Sequence, residues 1–193
     1  MEWERGKHSW IRDLAALTPP LFFMGGYAED ALLFHRIVEQ HADLDVLVVR
    51  RQLNQCWQQL AVLGLVGPAD DLREAPGYPL VLGASKDMPK IELWVCTPEP
   101  GGGYSFDAAG QPAPTRWRIF LPEDTFRYPA TTMEGMAIQT ISPLALYQLR
   151  AVSAMTRSSG EKRTKDLAMQ ERLLRAFLTE KDEQALMPRF VNL

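Results

Sequence analysis

The chain has 193 residues, 46% of them hydrophobic and 23% charged, with a formal net charge of −3. That balance belongs to a folding domain long enough to bury a core, and it excludes a disordered tail or a fibrous repeat. A slightly acidic chain is no electrostatic trap for nucleic acid, so a small molecule or a protein is the expected partner. No apolar run approaches the roughly 18 residues that span a bilayer, and Met1 to Lys7 alternate charge and polarity. A cytoplasmic protein with no membrane partner is therefore expected. Cys56 and Cys96 lie in apolar periodic segments without a Cys-x-x-Cys or Cys/His cluster, which predicts reduced thiols packed in a core.

In chain order, Trp10, Ile11, Leu14 and Leu17 have helical spacing over His8 to Leu17, and Pro19-Pro20 end the segment. Leu21 to Met24 reads as a short buried strand closed by Gly25-Gly26. Tyr27 to Val38 reads as a helix with Ala28, Ala31, Leu32 and His35 on one side. Asp43 to Val49 is the next strand. Gln52 to Leu63 is a helix with Leu53, Cys56, Trp57 and Leu60 as its stripe and Gly64 as its stop.

Tyr78 to Leu82 and Lys90 to Cys96 read as strands joined across Gly83 to Pro89, and Pro98 to Pro114 as a loop with a Gly-stabilised turn. Met136 to Ile141 is read as the last strand. Ser142-Pro143 supplies a cap and a first helical position, and the chain then reads helical to about Leu186 with a break at Arg157 to Gly160. The predicted class is α+β: a mixed sheet with flanking helices over residues 1–141 and a C-terminal helical part over 142–193.

Three features carry chemistry. A strand, two glycines and a helix aim the unpaired N–H groups and the positive dipole end of the helix at whatever lies beyond the strand, which suits phosphate; the competing reading is a plain tight turn. In His41-Ala42-Asp43-Leu44-Asp45-Val46-Leu47-Val48-Val49, alternation puts Asp43 and Asp45 on one face at the mouth of a strand that is apolar on both faces. Two carboxylates there are costly unless a cation neutralises them. Magnesium, which takes one or two carboxylates together with substrate phosphates, fits that need; alternatively both aspartates cap a strand end in solvent. Glu92, within Lys90 to Cys96, joins the aspartates if its strand pairs beside theirs, and otherwise is an edge acid facing water. Trp94 shares its strand face and reads as core packing, with stacking on a ligand as the other role.

With Gly25-Gly26-Tyr27, His41-x-Asp43-x-Asp45 and Glu92 in place, the chain resembles the nucleotidyltransferase superfamily that includes DNA polymerase β. It is most similar to the small lincosamide and aminoglycoside nucleotidyltransferases, with Tyr27 where those carry Trp. Gly101-Gly102-Gly103-Tyr104-Ser105-Phe106 resembles the family's Gly-rich hairpin. Ile141-Ser142-Pro143-Leu144 and Lys162-Arg163-Thr164-Lys165-Asp166 resemble its C-terminal helical pattern.

The resemblance implies transfer of a nucleoside monophosphate, AMP from ATP, to a hydroxyl of a small-molecule acceptor. Asp43 and Asp45 would bind Mg2+, Glu92 would act as general base or complete a metal site, and Gly25 and Gly26 would hold the phosphates. It promotes Lys165 from a solvated basic helix face, shared with Arg150, Arg157, Lys162, Arg163, Arg172 and Arg175, to a phosphate contact beside Asp166. A homodimer is compatible with it. Glu39 departs from the pattern, standing where the family often carries Arg, which implies either a weaker grip on the triphosphate or Arg36 as a substitute. That departure leaves a second expectation: a binding or toxin–antitoxin type protein of the same fold, acting on a macromolecule or inactive.

Overall fold

The computed structural model describes residues 9–67, 74–82, 89–109, 115–156, 160–179, 182 and 185–193. Among them are five helices and a seven-stranded mixed sheet with a separate two-stranded ribbon. Residues group into two units. The first gathers Met1–Ala75, Pro79–Cys96 and Pro129–Thr140, and the second Pro76–Tyr78, Thr97–Tyr128 and Ile141–Leu193.

In the first unit, helix α1 (Ser9–Ala15) buries Trp10, Ile11 and Leu14, the stripe its spacing dictates. Strand β1 (Phe22–Phe23) leads into helix α2 (Gly25–Phe34), which buries Ala28, Ala31 and Leu32. Helix α2 ends earlier than predicted. His35 takes the left-handed conformation (φ 57°) that closes it and is exposed, so it leaves the face assigned to it.

Strand β2 (Asp43–Val49) buries Leu44, Val46, Leu47, Val48 and Val49, and therefore sits inside the sheet with both faces covered. Helix α3 (Leu53–Val62) packs Leu53, Cys56, Trp57 and Leu60 inward and stops at Gly64, whose φ of 72° is left-handed. Strand β3 (Leu80–Leu82) and the first part of β4 (Lys90–Pro98) complete this side of the sheet. The predicted connection from Gly83 to Pro89 lies outside the described residues except for its last residue. β2 pairs antiparallel with β1 and parallel with β4, whose other neighbour here is the antiparallel β3. A parallel pair needs a crossover, and α3 supplies it.

In the second unit the end of β4, at Thr97 and Pro98, pairs with β5 (Tyr104–Ala109), β5 with β6 (Arg116–Leu121), and β6 with β9 (Arg189–Asn192), all antiparallel. Three expectations are corrected here. Pro98 to Pro114 is not simply a loop: β4 runs through Pro98, and a turn at Gly102 and Gly103, both with positive φ, starts β5. Gly103 is obligatory on two counts, because a Cβ there would lie 2.3 Å from the Leu121 carbonyl oxygen.

The segment Met136 to Ile141 contains β8 (Met136–Ile138), paired with β7 (Thr131–Met133) in the first unit, and it is not the last strand. The helical part is also not continuous from Gly160 to Leu186. Helix α4 (Pro143–Thr156) opens as expected, with the Ser142 hydroxyl accepting from the Ala145 N–H at 3.2 Å, and α5 (Glu161–Phe177) gives way to extended backbone at Leu178. Of the predicted helical break, only Gly160 is described. No helix among the described residues is long and apolar enough to cross a membrane.

Both thiols are core groups, as their spacing implied. Cys56 points at the Pro19 carbonyl and Cys96 at the Val48 carbonyl, 3.5 and 3.4 Å away. Burial pushes Cys56 up to about 11 and Cys96 up to about 12. At pH 8 the thiolate, the reactive form, is then on the order of one part in a thousand or less. Native protein is expected to leave both thiols unreacted with a chromogenic disulfide reagent at pH 8, and urea-unfolded protein to titrate two; prompt labelling of the folded chain would contradict this packing.

Candidate active site

The site lies in the first unit and is built around the mouth of β2. Gly25 opens α2 with φ +64°, a conformation that side chains rarely adopt, and its missing side chain makes room for Asp45. A Cβ on Gly25 would stand 2.6 Å from Asp45 Oδ2. The Met24 N–H donates to the Asp45 carbonyl oxygen at 2.9 Å, so the backbone just before the helix is fastened to the strand at the aspartate itself. Met24 is the N-cap residue and carries no oxygen that caps the first turn. The N–H groups of that turn, at the positive end of a ten-residue helix, therefore open beside a carboxylate-bearing strand end.

Gly26 does the same for His41. A Cβ on Gly26 would stand 2.4 Å from the His41 ring, at both Cε1 and Nδ1. Asp30, four residues on and so on the same helix face, is buried and places Oδ2 3.0 Å from His41 Nε2 and 3.0 Å from the Val38 nitrogen. Oδ2 accepts from the Val38 N–H and lies within hydrogen-bond reach of the ring, whose Nδ1 is 3.6 Å from Glu39 Oε1. Tyr27 closes the ring's other side edge-on, with centroids 4.7 Å apart, and stacks edge-on to Trp10 at 5.4 Å. Burial raises the Tyr27 phenol above its ordinary value, and the charges of Asp30 and Asp43 raise it further.

Register completes the arrangement. β2 and β4 align Asp43 with Lys90, Asp45 with Glu92 and Leu47 with Trp94. Partners in adjacent strands project to one face, so Asp43, Asp45 and Glu92 share a face at one end of the parallel pair. All three are half-buried, while Ile91 and Leu93 on the opposite face of β4 are fully buried. No group of three His, Cys, Asp or Glu side chains among the described residues is set to hold a metal ion together. The acids share a face without forming a three-ligand cage.

Trp94, read as core in the sequence, and Lys90, given no role there, both belong here. Trp94 is not core: it is half-buried, and its indole Nε1–H donates to Asp45 Oδ1 at 3.2 Å. Lys90 places its ammonium 2.5 Å from Glu92 Oε1. The hydrogen bond to Glu92 raises Lys90 above the usual lysine value, and the charges of Asp43 and Asp45 add to it. Lys90 is two residues before Glu92, so strand alternation alone puts it on the acid face. Asp30, likewise, was findable from its spacing of four from Gly26.

In the second unit, Lys165 is exposed on α5. Its neighbour Asp166 is buried and receives the Arg150 guanidinium of α4 at 2.9 Å. Arg150 thus leaves the solvated basic face assigned to it and becomes an inter-helix tie.

A helix that opens on Gly-Gly thus runs between two antiparallel strands and starts against the Asp-x-Asp end of the second. No protein-family model and no curated protein matches the chain. Solved structures do. The crystal structure of ANT(2″)-Ia in complex with adenylyl-2″-tobramycin matches with a TM-score of 0.65 and 16% identity over 92% of each chain. The solution structure of the antibiotic-resistance factor ANT(2″)-Ia matches at 0.59 and 17% identity over 96% of each. The lincosamide antibiotic adenylyltransferase LnuA, lincomycin-bound, matches at 0.53 and 16% identity over 86% of this chain and 96% of that one. The chain has the fold of the antibiotic nucleotidyltransferases.

Alanine normally improves a helix position held by glycine by up to about 1 kcal/mol. Gly26→Ala should do the opposite, costing roughly 1–3 kcal/mol in urea unfolding, because the His41 ring must leave buried Asp30. In a His41→Ala background the same change should be neutral or stabilising. A penalty that survives removal of the ring would mean that Gly26 does not accommodate His41.

Proposed function

We propose that this protein transfers AMP from ATP to a hydroxyl group of a small molecule, using magnesium. The observation that carries the reading is the seating of Asp45: in register with Glu92 and lodged against Gly25 at a helix start that has no side-chain cap. The structural neighbours, named for an adenylyl product and for adenylyl transfer, support the same class of reaction.

The donor set fits the metal. Asp43 and Asp45 offer hard oxygen ligands on one face, half-buried, and two carboxylates with room for phosphate oxygens are what magnesium accepts. Bound there, it would neutralise charge on the phosphates as one oxygen replaces another at phosphorus. The chain's own groups do the rest. N–H groups at Gly25 and Gly26 bind and orient phosphate oxygens at the positive helix end. Trp94 fixes one oxygen of Asp45 and so its orientation. Glu92, across from Asp45, takes the proton of the acceptor hydroxyl as its oxygen bonds to the α-phosphorus and pyrophosphate leaves. Lys165 is kept as a phosphate contact on the strength of the family resemblance alone.

Asp45→Asn keeps an acceptor for the Trp94 N–H and removes one of several crowded negative charges. It should abolish magnesium-dependent ATP binding and AMP transfer with little loss of fold, and should hold or raise the thermal midpoint of metal-free protein. A calorimetric titration with ATP, with and without magnesium, alongside a melting curve checks both. If the variant unfolds while wild type ignores magnesium, the aspartates are structural and the reading fails.

A further inference from the structure

The geometry points to Lys90 as a built-in counter-ion that holds Glu92 out of the cation's coordination, so that the metal site has two protein carboxylates and is completed by the nucleotide. This rests on the proposed nucleotidyl transfer and adds a control over when the metal binds. Three acids share one face, yet no three of them are set to hold an ion together. The reason is on the same strand: the Lys90 ammonium lies 2.5 Å from Glu92 Oε1, and Lys90 is the register partner of Asp43.

A carboxylate bonded to an ammonium has less to offer a cation, and an ammonium beside the site repels one. Two carboxylates alone hold magnesium poorly, since that ion keeps its waters unless further oxygens replace them. Triphosphate oxygens are the natural replacements. Lys90 therefore makes metal binding conditional on nucleotide and leaves Glu92 directed to the acceptor.

The test uses the full chain and Mn2+ as a paramagnetic probe, with free Mn2+ read by electron paramagnetic resonance, with and without ATP. Lys90→Gln should bind Mn2+ without ATP on the order of tenfold more tightly than wild type, the gain of one further ligand. Lys90→Arg should stay at the wild-type value, because the counter-charge is restored. Lys90→Gln combined with Glu92→Gln should return to the wild-type value, because the freed ligand is gone. Circular dichroism confirms that each variant is folded.

Unchanged or weaker Mn2+ binding in Lys90→Gln, against ATP-dependent binding in wild type, overturns the role of Lys90 alone. A gain that persists in the double variant also overturns it, since long-range charge would then suffice. Wild type that binds no Mn2+ even with ATP overturns the functional reading and this inference together.

Discussion

The close approach of Gly25 to Asp45 is the constraint on which the site depends. A helix can begin against the mouth of a strand only if its first residue has no side chain and accepts a positive φ, and Gly25 meets both conditions. The Met24 N–H to Asp45 carbonyl bond then fixes the height of the helix start along β2. Everything downstream follows the helix. Gly26 comes to lie under His41, Asp30 reaches the far nitrogen of that ring, and Tyr27 packs between His41 and Trp10. A side chain at Gly25 would push the helix from the strand and uncouple all of these at once.

The second constraint is electrostatic. β2 is buried on both faces beyond its first residues, so Asp43 and Asp45 stand where the sheet interior meets open space. Carboxylates crowded at such a boundary need positive potential nearby. The structure supplies three sources on the same face: the helix start, the Trp94 N–H and the Lys90 ammonium. Among the described residues, all three lie beside the aspartates at the end of β2.

The departures from the resembled family have physical places. Tyr27 keeps an aromatic edge against His41 where the family carries Trp, and its hydroxyl is raised by burial and by neighbouring acids. Glu39 stands 3.6 Å from His41 Nδ1, so the position that often holds Arg lies beside the histidine here. Identities of 16–17% to chains of the same fold show how little of the sequence the architecture requires.

Local period and spacing determined much of this by themselves. Alternation put Asp43 and Asp45 on one face, the 3.6-residue period found the inward stripes of α1 and α3, and Ser142-Pro143 marked a helix start that the Ala145 N–H confirms. These are properties of a few neighbouring residues, and the backbone enforces them wherever the segment sits. Partner choice between strands is different, because it depends on residues far apart in the chain. Only the tertiary structure set β4 parallel to β2 in the register that faces Asp45 with Glu92, turned Trp94 from core to hydrogen-bond donor, and brought Lys90 onto Glu92. It also returned Arg189–Asn192 to β6 as an edge strand, from a four-residue segment too short to announce itself. The residues of the site were legible one by one; their company was decided by the ladder between β2 and β4, which no local pattern encodes.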